Sequence, residues 1–439
     1  MSTWSRVRRT VLAAALATGL AAVAACGGTA GPQAGGEAGQ LTLWTLQNEG
    51  INSVQQAAVD RFNDTGGPQI DLTTYLNDPY KSALQTAIGS PNGPDVFYNW
   101  GGGNLKGYAD AGQAADLTAA LDARPEVKQA FLPQVLETGT IDGKVYGIPM
   151  QGVQPLSFFY NKDVFAQAGI TEFPTTWQGF LDTVDRLEAA GVQPIALAGA
   201  QSWTEMMYPE YLLDRVGGSE KFQAIADGKP GAWRDPAVVQ AMTMVQDLVD
   251  RGAFGTNFTA VDYDNQASQA LLTSGRAAME LMGSWQVTSL NDNFPDFLEQ
   301  GKLGWAPFPA VEGGAGDPST VIGNPSNYYS VSARSADVPA ATDFLLTQMT
   351  DPQYVQGMLE KGQVPALTGI EQQVASAGPF ADFNTYTYDQ TKNAATFVQS
   401  WDQALPAAEA QTMLTNLSKV FTKELTPQQF AEAMDSAGR

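Results

Sequence analysis

From Leu41 onward the chain alternates strand-like and helix-like patterns, and that alternation limits its possible folds more than any other feature. Leu41-Thr42-Leu43-Trp44-Thr45 alternates with period two. Val54, Ala57, Ala58 and Phe62 then fall on one helical face, with Asn52 or Ser53 as the expected cap. A strand near 70–76, a helix through 81–88 and the run Pro94-Asp95-Val96-Phe97-Tyr98 follow. Such βαβ succession predicts an α/β sheet with parallel pairs.

Downstream, Thr175 and Gln178 have capping-box spacing, and Trp177, Phe180, Leu181, Val184 and Leu187 mark the core face of a helix. Gly191 ends it, and a strand is expected over 194–197. Further helices are expected over 238–249, 267–272, 340–349 and 410–421, and a last one from the cap Thr426 with Pro427 at its first position. Short extended stretches at 148–154, 275–279 and 324–331 lie between helical blocks. No internal repeat is present.

Composition removes several classes of chemistry. The 439 residues include no histidine and one cysteine. That excludes imidazole-dependent nucleophiles, His-ligated metals, internal disulfides and zinc ribbons, so no metal or cofactor is expected. With 24 basic against 46 acidic residues the formal charge is −22, which opposes binding to nucleic acid or anionic lipid.

The N-terminus supplies an address. Arg6, Arg8 and Arg9 precede an apolar run from Val11 to Ala25, too short for a comfortable membrane span and patterned as an export signal. The Arg8-Arg9 pair leaves the Sec and twin-arginine routes both open. The run ends in Val23-Ala24-Ala25-Cys26-Gly27, which resembles a bacterial lipobox with Val23 in place of the usual leucine. Residues 1–25 read as the signal peptide. Residues 26–40 read as a lipidated Cys26 and a flexible tether, whose six glycines give an r.m.s. reach of ~20 Å. Loss of the three arginines takes the formal charge to −25.

Several motifs then occur in order: GPDV at 93–96, GKVYGIP at 143–149, FYNKDVF at 159–165, PTTW at 174–177, GRAAM at 275–279 with Gly283-Ser284-Trp285, and DPQY at 351–354. Together they resemble family 1 extracellular solute-binding proteins of sugar importers, the group that includes maltose-binding protein, across essentially residues 41–439. The resemblance implies a two-lobed α/β periplasmic-binding-protein fold of type II-like form, with crossing hinge strands and a ligand cleft between the lobes. On that basis 41–150 forms the first part of lobe 1, 151–275 the first part of lobe 2, 276–325 the second part of lobe 1, and 326–439 the C-terminal helical part of lobe 2. The implied function is that of a monomeric, lipid-anchored receptor outside the cytoplasmic membrane. It would hand an oligosaccharide of two to four units to an ABC permease served by a separate ATPase. The chain itself has no phosphate-binding Gly-x-x-x-x-Gly-Lys-Ser/Thr loop.

A sugar offers hydroxyls at its rim and C–H faces above and below, so its site combines flat aromatic rings with Asn, Gln, Asp or Glu. By resemblance Trp285 matches the stacking tryptophan of maltose-type members. Trp100 and Asn99 follow a strand end beside the glycines at 101–103, which would let backbone approach the sugar. Gln47, Asn48 and Glu49 follow the first strand. Gln151 and Gln154 lie at the first crossing, and Asn324 and Asn327 at the third. Trp203, and Trp401 with Asp402, are the second-lobe candidates. Trp177 belongs to a helix core face, Trp44 to a buried strand, Trp305 to a strand and Trp233 to surface packing. Two rival readings remain: a receptor for a non-sugar solute such as a polyamine, and a secreted glycosidase using a carboxylate pair.

Overall fold

The computed structural model describes residues 40–437. The export signal, Cys26 and nearly all of the tether lie outside that span. In chain order the strands are β1 (Gln40–Leu46), β2 (Gln69–Tyr75), β3 (Val96–Asn99), β4 (Thr140–Ile141), β5 (Lys144–Val145), β6 (Ile148–Pro149), β7 (Gly152–Asn161), β8 (Gln193–Ile195), β9 (Ala277–Gly283), β10 (Leu303–Ala306), β11 (Val321–Asn324), β12 (Tyr328–Val331), β13 (Val364–Pro365) and β14 (Phe397–Gln399).

Two sheets organise them. The first has the order β2-β1-β3-β12-β6, with β1 parallel to both β2 and β3 and with β12 antiparallel to β3 and β6. The second runs β14-β11-β7-β9-β8, with β10 and β13 also paired to β7. The strand β7 is a shared spine. Along its ten residues it pairs in turn with β13 at 152–153, β11 at 154–155, β9 at 156–160 and β10 at 158–161. Its side chains are buried almost throughout, as befits a strand covered on both faces.

Each sheet carries its own hydrophobic core. Val153 belongs to the core of the first lobe and Leu156 to that of the second, so the chain crosses within β7. It returns between Ile322 and Tyr328, and crosses a third time between Ala377 and Phe380. The partition expected from sequence is therefore corrected. Residues 277–322, including β9, pack in the second core, and residues 328–377, including β12, pack in the first. The stretch 275–279 is no crossing, because β9 lies between β7 and β8 inside the second sheet.

Local signals mostly place the helices within a few residues. The first starts at Glu49, earlier than expected, because the Asn48 side chain caps it by accepting from the Ile51 N–H at 3.2 Å. The helix Trp177–Ala189 is capped by Thr176 rather than Thr175. The last helix, Pro427–Ala437, follows Thr426, whose hydroxyl accepts from Gln429 N–H at 3.2 Å. Among the described residues no helix is long and apolar enough to cross a membrane.

Candidate functional site

In the first sheet the order β2-β1-β3 places β1 between two strands whose connections leave in opposite directions. This creates a crevice at the carboxyl ends of β1 and β3, where open α/β sheets bind ligands. Gln47 and Asn48 follow β1 there, and Trp100 follows β3. From the second lobe, Trp285 follows β9 and Ser400–Gln403 follows β14. These loops face one another across a cleft with an empty volume of about 970 Å³, solvent at its mouth included.

Trp285 lines this cleft at the first turn of the helix Trp285–Asn293. A side chain on Gly283 would overlap the Trp285 ring, so the glycine lets the indole fold back over its own backbone. Trp203 stands 6.4 Å from Trp285, centroid to centroid, tilted by 54°, and Tyr263 braces Trp203 edge-on at 5.0 Å. The second lobe thus presents two adjoining indoles, with Met206 and Met207 beside them. Trp203 lies in the first turn of a buried helix, Ser202–Gly217, rather than in a loop.

Trp100 also lines the cleft but is only 8% exposed. Tyr80 and Tyr98 pack edge-on against it, and the Lys81 ammonium sits 5.2 Å from its ring centroid. The neighbouring glycines serve a different purpose from the one expected. Gly102 has φ +52°, and a side chain there would strike Gln399; one on Gly103 would strike the carbonyl of Ala404. The glycines accommodate the opposite lobe rather than a ligand. Gln399 Nε2 completes this contact by donating to the Trp100 carbonyl at 2.8 Å.

The crossings contribute amides. Gln151, Gln154, Asn324 and Asn327 all line the cleft and bond to one another: Asn327 Nδ2 reaches Gln151 Oε1 at 2.9 Å and Gln154 Oε1 at 2.8 Å, and Asn324 Nδ2 reaches Gln154 Oε1 at 3.1 Å. Gln47 and Asn48 line it from the first lobe, although the Asn48 carbonyl is already used as a helix cap.

Three expected site residues lie elsewhere. Asn99 is fully buried and shapes its own turn, donating to Ser330 Oγ at 2.8 Å and accepting from Gly101 N–H at 3.0 Å. Glu49 points outward from the first helical turn and does not line the cleft. Trp401 is a core residue, stacked on Phe222 at 5.1 Å and edge-on to Trp233 at 6.0 Å. Trp233 is itself buried rather than superficial. The residue after Trp401 does reach the cleft, because a short helix (Trp401–Ala404) turns Asp402 and Gln403 inward while Trp401 plugs the core. Glu210 fixes this helix by accepting from the Trp401 N–H at 2.6 Å.

Asp264, Lys81, Tyr98, Tyr263 and Gln403 were not singled out from sequence. Among the described residues Lys81 is the only basic one lining the cleft, against Asp264 and Asp402. Burial pushes both carboxyls above the usual range; the Lys81 charge opposes that shift and the charge on Asp78 reinforces it. Away from the cleft, burial also raises Glu205, bonded to Ser418 Oγ at 2.6 Å, to about 7. It raises Glu280, bonded to Gln286 Nε2 at 2.6 Å, to about 8.

Residues 47–346 match the family of bacterial extracellular solute-binding proteins. The chain belongs to this family. A multiple sugar-binding protein of Streptococcus mutans is 25% identical over 237 residues, covering 53% of this chain and 54% of that protein. A xylose/arabinose-binding protein of Haloferax volcanii is 28% identical over 264 residues, covering 57% and 52%. The chain thus spans about half the length of these curated relatives. Solved structures extend the likeness. One from work on xylan utilization by Caldanaerobius polysaccharolyticus has a TM-score of 0.80 at 28% identity, covering 90% of this chain and 99% of that one. A chitin oligosaccharide binding protein has a TM-score of 0.78 at 25% identity, covering 91% and 98%. This solute-binding protein therefore has the two-lobed α/β fold of its family, whose members are binding proteins rather than enzymes.

Proposed function

We propose that this solute-binding protein captures an oligosaccharide of two to four units in the cleft between its lobes and delivers it to an ABC permease. The observation that carries the reading is the pairing of two adjoining indoles, Trp203 and Trp285, with the amides of the crossings in one cavity. Rings of that kind cover the C–H faces of a sugar while amides take its hydroxyls. Trp285, Trp203 and Trp100 are the proposed stacking groups; Gln47, Asn48, Gln151, Gln154, Asn324, Asn327 and Asp402 are the proposed polar contacts. A ligand touching both lobes binds the closed form better, and that difference drives closure. Cys26 is the proposed site of diacylation, holding the monomeric receptor by its tether at the outer face of the cytoplasmic membrane.

The carboxylates of Asp264 and Asp402 in the cleft also favour a second reading, a polyamine receptor. Tryptophan-fluorescence titration of the protein from residue 41 onward separates the two. The panel holds xylobiose, xylotriose, raffinose, melibiose, maltotriose, cellobiose, N,N'-diacetylchitobiose, monosaccharides and spermidine, and each mixture is checked afterwards for hydrolysis. Saturable binding of one intact oligosaccharide is the expected result. Spermidine alone would establish the second reading, and cleavage products would make the protein a glycosidase. For the anchor, Cys26→Ser is expected to release the protein from membranes, and retention would refute lipidation.

A further inference from the structure

The amides lining the cleft belong to a longer hydrogen-bond chain whose direction is set at one end. A backbone carbonyl can only accept. The carbonyl of Lys361 takes the Thr288 hydroxyl proton at 2.6 Å, which leaves Thr288 Oγ to accept from Gln363 Nε2 at 2.8 Å. Gln363 Oε1 then accepts from Gln151 Nε2 at 3.3 Å, and Gln151 Oε1 from Asn327 Nδ2 at 2.9 Å. The same Asn327 Nδ2 reaches Gln154 Oε1, which also takes Asn324 Nδ2, and Asn324 Oδ1 takes Gln403 Nε2 at 2.6 Å. Reversing any one amide would set N–H against N–H or O against O, so the polarity at Lys361 propagates through six side-chain amides.

Three oxygens near the ends of this chain remain unused. Asn327 Oδ1 and Gln403 Oε1 have no hydrogen-bond partner, on residues only 2% and 8% exposed. Asp402 Oδ1, buried beside Gln403, has none either. All three residues line the cleft. Leaving such acceptors buried without donors is unfavourable, and a bound group that donates removes the penalty. Among the described residues no arginine lines the cleft, and Lys81, the only basic one there, already lies over Trp100 and 3.8 Å from Asp78.

Resting on the sugar-receptor reading above, we propose that Asn327, Asp402 and Gln403 form an acceptor wall that determines specificity. The wall selects a sugar edge presenting hydrogen-bond donors, hydroxyl or ammonium, and refuses one bearing a carboxylate, sulfate or phosphate. A carboxylate placed there meets three acceptor oxygens, one of them from an acidic group.

The test is isothermal titration of the protein from residue 41 onward with matched probes. Neutral probes are xylotriose, cellobiose and N,N'-diacetylchitobiose; the cationic probe is the glucosamine dimer; anionic probes are glucuronyl-xylotriose and cellobiouronic acid. The neutral or cationic member of the series that binds is expected to do so at least tenfold more tightly than its carboxylate counterpart. A tighter glucosamine dimer makes the donor an ammonium, and a tighter neutral sugar makes it a hydroxyl. An anionic probe binding within threefold of its parent overturns the proposal. In Asp402→Asn, which removes a charge and brings an N–H to the wall, the neutral-to-anionic preference is expected to shrink at least fivefold. An unchanged ratio in a variant with wild-type melting shows that the refusal arises elsewhere and also overturns the proposal. Should that variant fail to fold, the wild-type comparison decides by itself. Silence from every probe here and from the neutral panel above is a different failure, since it removes the sugar-receptor reading and the wall's role with it.

Discussion

Glu280 sits on β9 between the two packed sides of the second lobe, 1% exposed, with Gln286 as its hydrogen-bond donor. Burial lifts its pKa from 4.5 to about 8. In the unfolded chain the group ionises near pH 4.5; in the fold it holds its proton until about pH 8. Between those values the unfolded state binds fewer protons, so stability falls as pH rises through the window and levels off above it. Integrated from pH 4 to pH 7, one such group removes ~3 kcal/mol, a large share of a domain's total. Glu280→Gln keeps an acceptor for Gln286 but cannot ionise. Urea unfolding of both proteins at pH 4 and pH 7 isolates the effect, because the change in their stability difference cancels every other titrating group. Glu280→Gln is expected to gain about 3 kcal/mol on wild type between the two pH values. A stability difference that stays constant within experimental error would show that Glu280 ionises normally in the fold and would refute the reasoning.

Two of the tryptophans named as site candidates from sequence are expected to behave oppositely. Trp285→Ala should weaken ligand binding by more than tenfold with the melting temperature nearly unchanged, as read by titration and calorimetry. Trp401→Ala removes a fully buried ring stacked on Phe222 and should cost roughly 3–5 kcal/mol of stability in urea unfolding. Gly103→Val would press a side chain into the Ala404 carbonyl and is expected to hold the lobes apart, raising the radius of gyration in solution scattering and weakening ligand binding. An unchanged radius would place the lobe contact elsewhere.

How legible the molecule was depends on the kind of signal. The βαβ succession through residue 98 and the cap Thr426 with Pro427 after it are local, and the structure realises them. The helix Ser202–Gly217 left no periodic trace, because nearly every residue from Thr204 to Gly217 is buried and a helix covered on all sides has no polar face. The partition of the lobes was misjudged for a related reason. β9 and β12 are both short, apolar and buried, and only their pairing partners tell which sheet each joins. In the cleft, amide-rich loops led to Gln151, Gln154, Asn324 and Asn327. Lys81 and Asp264 carried no such mark, since a lone charge on a helix or in a turn looks like any solvated residue. Trp401 and Asp402 show the finest grain of the problem. Adjacent in sequence, they point to core and cleft because a four-residue helix turns between them, and composition cannot say which is which.

The interleaving of the two cores bears on how the chain reaches its native state. In the first sheet β3 and β6 are joined only through β12, which arrives some 180 residues after β6. A nascent chain ending at residue 325 therefore lacks the strand that bridges them, and its N-terminal lobe cannot be finished whatever its local propensities. Contacts of such long sequence separation make folding slow, because loop closure is paid before those contacts reward it. Slow completion prolongs the exposure of the unfinished first lobe, and any truncation before β12 should leave both halves open to proteases.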